Sequence, residues 1–163
     1  MRAYLFIMFF LFLSVVCFSQ TTSVAITNGS MGATWSIPTL SSTITKAGKN
    51  YEHVETSALS HTYLKVTSIA FWNVSVQQTV SSNWDPSLKL FVRRSGDGTG
   101  LVTISGGTAF LPVTSGNTLF FSGLLGLGFG RENIPVQYKI EGLSVLLPVK
   151  TYTTTIVFTI SGL

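Results

Sequence analysis

Two histidines and a glutamate are of residue types that could together bind a metal ion. His53 and Glu55 share a face if their segment is a strand, and His61 follows eight residues after His53. Imidazole and carboxylate groups are zinc ligands. The sequence has no third histidine, its single cysteine is Cys17, and the spacing matches no zinc signature. We therefore expect no metal site and interpret these side chains as solvent-facing polar residues.

Two glycine-rich stretches have the composition of ligand-binding loops. Ser95–Gly100 contains only one carboxylate, Asp97, whereas calcium requires several oxygen ligands at set offsets, so we predict a hairpin tip. In Gly126–Gly130 glycines alternate with Leu127 and Phe129, but residues 131–135 do not resemble the helix start that a phosphate-binding loop needs. We predict a strand whose glycine face lets a backbone or a bulky side chain approach closely, and no cofactor.

The sequence shows no signature of a hydrolase. A nucleophile elbow of the form Gly-x-Ser-x-Gly is absent. Glycosidases need two convergent carboxylates, and the six acidic residues are scattered along the chain. We expect a protein without enzymatic activity, which acts through the surface that it presents.

Two tryptophans are candidates for surface binding. Trp35 and Trp84 both lie beside segments rich in turn-forming residues, where an indole ring can be exposed. An exposed ring could stack on a sugar, as expected for a carbohydrate- or surface-binding module. The alternative is that each ring plugs one end of a β-sandwich, and we favour this structural role.

The elements that carry these residues are predicted to be strands. In residues 149–163 one set of side chains alternates with threonines and a serine, which indicates a strand with one buried face. That set comprises Tyr152, Thr154, Ile156, Phe158 and Ile160. Strands are also predicted over residues 21–27 before an Asn28-Gly29 turn, near Ile44 and over residues 51–55.

The middle of the chain has a stronger alternating pattern. Residues 70–76 predict a central strand in which Trp72 is the largest core side chain, and residues 88–92 and 136–140 alternate in the same way. Pro112 indicates an edge strand over residues 110–113, and Gly142 a bend. Turn signals about every ten residues predict an all-β fold, an antiparallel Ig-like or jelly-roll β-sandwich of about 7–10 short strands.

The N-terminus resembles a secretory signal peptide. Arg2 precedes an apolar run over residues 5–16, and Cys17-Phe18-Ser19 provides a cleavage site before Gln20. The alternatives are a retained anchor and a lipidated Cys17. Cleavage would leave residues 20–163 as one domain without cysteine, and therefore without disulfides. The remaining charges are scattered apart from Arg93-Arg94, so no nucleic-acid partner and no further membrane span are expected.

Several of these segments together resemble small secreted bacterial β-sandwich subunits, in particular the spore-coat-protein-U-type pilins and related uncharacterised exported domains. The similarity rests on the export signal, on Trp72-Asn73-Val74-Ser75-Val76, on the turn at residues 83–86 and on the terminal strand after Pro148. The chain departs from that pattern by lacking paired cysteines and by having Lys150 where glycine is usual. The resemblance implies a sandwich that polymerises by donating a strand.

We therefore expect an exported structural or adhesive subunit of the cell surface or of an extracellular filament. Its partner would be a second copy of itself or another surface protein, with a glycan as the partner under the binding-module alternative. The assembly strand is predicted to include Val24, Ala25 and Ile26, which either pair within their own domain or reach a neighbouring subunit.

Overall fold

A computed structural model describes residues 22–27, 32–37, 52–124 and 130–162. These ranges contain eleven strands and no helix, which confirms the predicted all-β class. The signal segment and the strand predicted near Ile44 lie outside them. The strands are β1 (Ser23–Thr27), β2 (Glu52–Thr56), β3 (Thr62–Thr67), β4 (Trp72–Val80), β5 (Lys89–Arg94), β6 (Thr99–Gly100), β7 (Ile104–Ser105), β8 (Leu111–Val113), β9 (Thr118–Gly123), β10 (Arg131–Ser144) and β11 (Thr154–Gly162).

The strands form two antiparallel sheets that pack against each other. One sheet has the order β1-β3-β10-β5-β8, with β2 and β6 also paired to β10, and the other has the order β11-β4-β9-β7. A continuous core joins them, with Leu64 and Val136 from the first sheet and Val74 and Phe121 from the second. Burial of this apolar surface is the main favourable term in folding. The predicted β-sandwich is confirmed.

The central strand β10 is long and pairs with two interrupted neighbours. β3 and β2 follow each other along one side of β10, and β5 and β6 along the other. The prediction of a hairpin at Ser95–Gly100 is therefore wrong. β5 and β6 do not pair with each other; both pair with the same side of β10, and residues 95–98 form a break between them. These interruptions also explain why eleven strands occur where 7–10 were expected.

The alternation of apolar and polar residues along the sequence correctly identified the inward-facing side chains. Trp72 is only 1% exposed and is the largest fully buried side chain in the described ranges, which confirms it as the core anchor. Its indole and the Phe121 ring pack in a T-shaped arrangement at a centroid distance of 5.7 Å. Gly123 lies directly across from it in β9, where the absence of a side chain leaves room for the indole. The core therefore depends on a large residue and a glycine on adjacent strands.

Two strand irregularities also agree with the sequence. Pro112 lies in β8, at one edge of the first sheet, where its missing N–H removes no internal hydrogen bond. Gly142 adopts a positive φ of 84° at the point where the pairing of β10 with β2 shifts register. A residue with a side chain would be strained at that φ, so glycine allows β10 to bend there.

Candidate functional site

Two concave regions of the surface are candidate binding sites. The end cavity has a volume of about 900 Å³ and lies where residues 34–37, the loop after β4 and the loop after β10 meet. The edge cleft has a volume of about 330 Å³ and lies between β1 and β11, the adjacent edge strands of the two sheets. The first contains both tryptophans predicted for surface binding, and the second contains the predicted assembly strand.

Both tryptophans line the end cavity. Trp35 is half-buried and stacks on Tyr138 at a centroid distance of 6.3 Å, while the His61 ring packs edge-on at 6.4 Å. Burial raises the pKa of Tyr138, against a smaller lowering by a hydrogen bond with Thr62. Trp35 therefore packs against the core and faces the end cavity.

Trp84 is positioned by a short loop and by a buried amide. Its backbone N–H donates to the Ser81 carbonyl at 3.1 Å, and that of Leu88 donates to the Asp85 carbonyl at 3.1 Å. One orientation of the Gln78 side-chain amide satisfies the hydrogen-bonding groups around it. In that orientation its nitrogen donates to the Val113 carbonyl at 3.1 Å and its oxygen accepts from Trp84 Nε1 at 3.3 Å. The indole is thereby anchored at its polar end while it lines the cavity.

The floor and rim of the end cavity have different character. Leu88, Leu90 and Ile140 form the floor and are at most 5% exposed. On the rim, Val145 is 37% exposed and Val149 is fully exposed. The sequence predicted neither that the loop after β10 carries such an apolar rim nor that it borders a cavity with both tryptophans.

The loop between β10 and β11 also supplies polar groups to the rim. The Tyr152 hydroxyl donates to the Pro148 carbonyl at 2.7 Å, and Lys150 Nζ lies 5.0 Å from the Tyr152 ring centroid. Partial burial raises the pKa of Tyr152, and the nearby Asp85 carboxylate adds to this effect. The Asp85 carboxylate in turn accepts hydrogen bonds from the Ser87 hydroxyl at 2.7 Å and the Ser87 N–H at 3.0 Å.

The edge cleft exposes apolar side chains of two edge strands. β1 pairs with β3 over five residues, so Val24, Ala25 and Ile26 lie within their own domain in this structure. Ile26 remains 49% exposed, because the facing Ile156 and Phe158 of β11 do not cover it. Cα atoms of the two strands approach within 8 Å, yet in the described ranges β1 pairs with β3 alone and β11 with β4 alone.

The residues considered for metal binding do not form a ligand set. His53 Nε2 and Glu55 Oε1 lie 2.7 Å apart on β2, whereas His61 is buried and packs edge-on against the stacked rings of Trp35 and Tyr138. The described ranges contain no group of three histidine, cysteine or acidic residues able to hold a metal ion. The interpretation of His61 as solvent-facing is wrong, since it is only 3% exposed and packs against two aromatic rings.

The glycine-rich stretches have structural contacts. The Asp97 carboxylate accepts a hydrogen bond from the buried Arg94 guanidinium, which also donates to the Gly106 carbonyl at 2.5 Å. Sequence reasoning missed this arginine, because nothing local indicates that a charged residue of β5 is buried. Residues 125–129 lie outside the described ranges, but a Cβ on Gly130 would be 2.6 Å from the Val66 carbonyl oxygen, a close backbone approach of the kind predicted for this run.

Comparisons with protein-family models, with curated proteins and with solved structures give no match for this chain. The described part of the chain contains no helical segment with the length and apolarity needed to cross a bilayer.

Proposed function

We propose that this protein is an exported, non-enzymatic structural or adhesive subunit of the cell surface or of an extracellular filament, and that its copies associate by exchanging β1. The observation that carries the proposal is the weak attachment of β1, which among the described residues pairs only with β3 and packs a single side chain, Val24, against the core. In the part of the chain that the structure describes, the outer backbone edge of β1 is unpaired and Ile26 is 49% exposed beside the edge cleft. Open strand edges are templates for pairing with another chain.

The width of the edge cleft favours exchange of β1 over insertion of an extra strand. A strand inserted between β1 and β11 would need two inter-strand spacings, about 9.6 Å in total. The two edge strands already approach more closely than this, within 8 Å. In an exchange, β1 of one copy takes the place of β1 in the next and forms the same five-residue pairing with β3. Each contact that β1 loses with its own domain is replaced by the identical contact with the domain of the other copy.

The small contribution of β1 to the core makes the exchange inexpensive. Val24 is its only core-packed side chain, and Ile26 is half-exposed. Removing β1 therefore costs about 2–3 kcal/mol of burial, at about 1.5–3 kcal/mol for each fully buried aliphatic side chain. A domain with a typical stability of about 5–15 kcal/mol would survive this loss.

Disulfide trapping tests the exchange directly, because Cys17 is the sole native cysteine and lies in the predicted signal segment. Ala25 and Lys65 are directly opposite in the β1–β3 pairing. Ala25→Cys and Lys65→Cys are made in separate chains without residues 1–19, and the two proteins are mixed. Exchange is expected to give a covalent heterodimer on a non-reducing gel.

The matched control uses Thr159→Cys and Ser75→Cys, which are opposite each other in the nine-residue pairing of β11 with β4. This pair is expected to remain uncrosslinked, because β11 stays in its own domain. Deleting residues 20–27 should abolish assembly in light scattering and electron microscopy while circular dichroism still shows a folded monomer. Absence of the heterodimer together with a monomer at every concentration would refute the proposal.

A second candidate function, a carbohydrate- or surface-binding module, is favoured by the position of Trp35 and Trp84 on the same end cavity. Two indoles at one concave site provide a large apolar contact area of the kind that ligand pockets use. Trp84→Ala is expected to abolish ligand retention on an immobilised glycan or surface without unfolding the domain. Undiminished retention would count against this function.

A further inference from the structure

The walls of the end cavity match a ligand with a long aliphatic body. The floor consists of Leu88, Leu90 and Ile140, and Leu143 and Leu147 extend the apolar surface toward the opening. A sugar in contact with these side chains would lose water from its hydroxyl groups without gaining hydrogen bonds, which is costly. An aliphatic chain would gain free energy for each methylene group buried.

The rim of the end cavity supplies a positive charge for the other end of such a ligand. Lys150 lines the cavity. The ion pairs within the described ranges do not include Lys150; they involve His53, Lys65, Arg94 and Lys139. Asp85 is close enough to interact electrostatically with Lys150, but its carboxylate already accepts two hydrogen bonds from Ser87. The Lys150 ammonium is thus placed to bind an anionic head group.

We propose that the end cavity binds an amphipathic anion, a long-chain carboxylate or a related acyl compound, with its chain over the leucine floor and its head group at Lys150. The cavity volume of about 900 Å³ lies within the range of ~300–1,000 Å³ typical of small-molecule sites. The proposal rests on the second candidate function and is independent of strand exchange.

Intrinsic fluorescence provides the test, because two of the three tryptophans line the cavity and the third, Trp72, is buried in the core. Purified protein is titrated with decanoate and dodecanoate below their critical micelle concentrations. We expect a saturable spectral change, and dodecanoate should bind on the order of tenfold more tightly because it buries two more methylene groups. No saturable change with either carboxylate would overturn the proposal.

Charge and shape are tested separately with matched variants. Lys150→Met should weaken dodecanoate binding by up to about fivefold and leave dodecanol binding unchanged. The control is Lys89→Met, because Lys89 is exposed and does not line the cavity, and this change should affect the binding of neither compound. Leu143→Trp should block the cavity and abolish binding, and Leu119→Trp, at an exposed site on β9, should not. Thermal unfolding checks that each variant is folded.

The remaining outcomes separate this proposal from the function on which it rests. Equal affinity for dodecanol and dodecanoate, or an unchanged affinity in either Lys150→Met or Leu143→Trp, would overturn the ligand assignment. Binding of an oligosaccharide that depends on Trp84, without carboxylate binding, would also overturn it while supporting the binding-module function. Vesicles containing an anionic lipid, compared with free dodecanoate, show whether the acyl chain comes from a bilayer or from solution.

Discussion

Replacing Gly123 with alanine is expected to destabilise the domain by overfilling its core. Gly123 has Trp72 as its cross-strand partner, and a Cβ at this position would lie 2.8 Å from Cη2 of the indole and closer still to Cζ2 and Cε2. Carbon atoms normally pack at about 3.5–4.0 Å. The indole cannot retreat easily, because it is 1% exposed and packed against Phe121.

We expect a loss of about 3 kcal/mol in the free energy of unfolding, at the upper end of the usual cost of overpacking. Equilibrium urea denaturation followed by circular dichroism measures this loss as a lower midpoint with an unchanged slope. The matched control is Gly116→Ala, whose new Cβ would have its nearest neighbour, Thr114 Oγ1, at 3.6 Å. That control should change stability by less than about 0.5 kcal/mol.

A double-mutant cycle identifies the clash as the cause. Trp72→Phe removes the part of the indole that the new methyl group would overlap, so Gly123→Ala should cost at least about 1 kcal/mol less in that background. An equal cost in both backgrounds would show that the indole is not responsible. If Gly123→Ala is as mild as Gly116→Ala, the packing between β4 and β9 described above is wrong.

Two further changes test other contacts. Arg94→Met is expected to cost about 2 kcal/mol in urea denaturation, because the hydrogen bonds that the buried guanidinium donates to the Gly106 carbonyl and to the Asp97 carboxylate are lost; an unchanged midpoint would contradict this. Hydrogen bonds from the Ser87 hydroxyl and N–H, together with attraction to Lys150, hold the pKa of Asp85 below its usual range. Since the folded-state pKa is depressed, the stabilisation is present at neutral pH and is lost as the pH falls through the folded value. Ser87→Ala should raise the pKa of Asp85 in an NMR titration, and an unshifted curve would refute the assignment.

Local alternation predicted those strands whose two faces have different surroundings. Trp72, Val74 and Val76 are buried while the intervening residues of β4 are not, which is the pattern that period-two spacing indicates. The edge position of Pro112 followed from its missing N–H, and the bend at Gly142 from its backbone freedom. In each of these cases the determining property belongs to the residue itself.

Features that depend on distant segments were not predictable. Gly98 and its neighbours suggest a hairpin, but the partner of β5 and β6 is β10, more than thirty residues away in sequence. The buried Arg94 guanidinium donates to the carbonyl of Gly106, which lies 12 residues further along the chain. The placement of Trp35 and Trp84 on one cavity likewise depends on how the two sheets pack, and no local pattern encodes that.

The late position of β10 in the chain has a consequence for how the protein acquires its structure. β10 separates β3 from β5, and β11 is the edge partner of β4, so neither sheet can be completed before the last third of the chain is available. Pairings between such distant segments must first overcome a large loop-closure entropy, which slows folding. A chain arranged in this way stays open while its N-terminal half is being synthesised, and the export proposed above would require an unfolded chain of this kind.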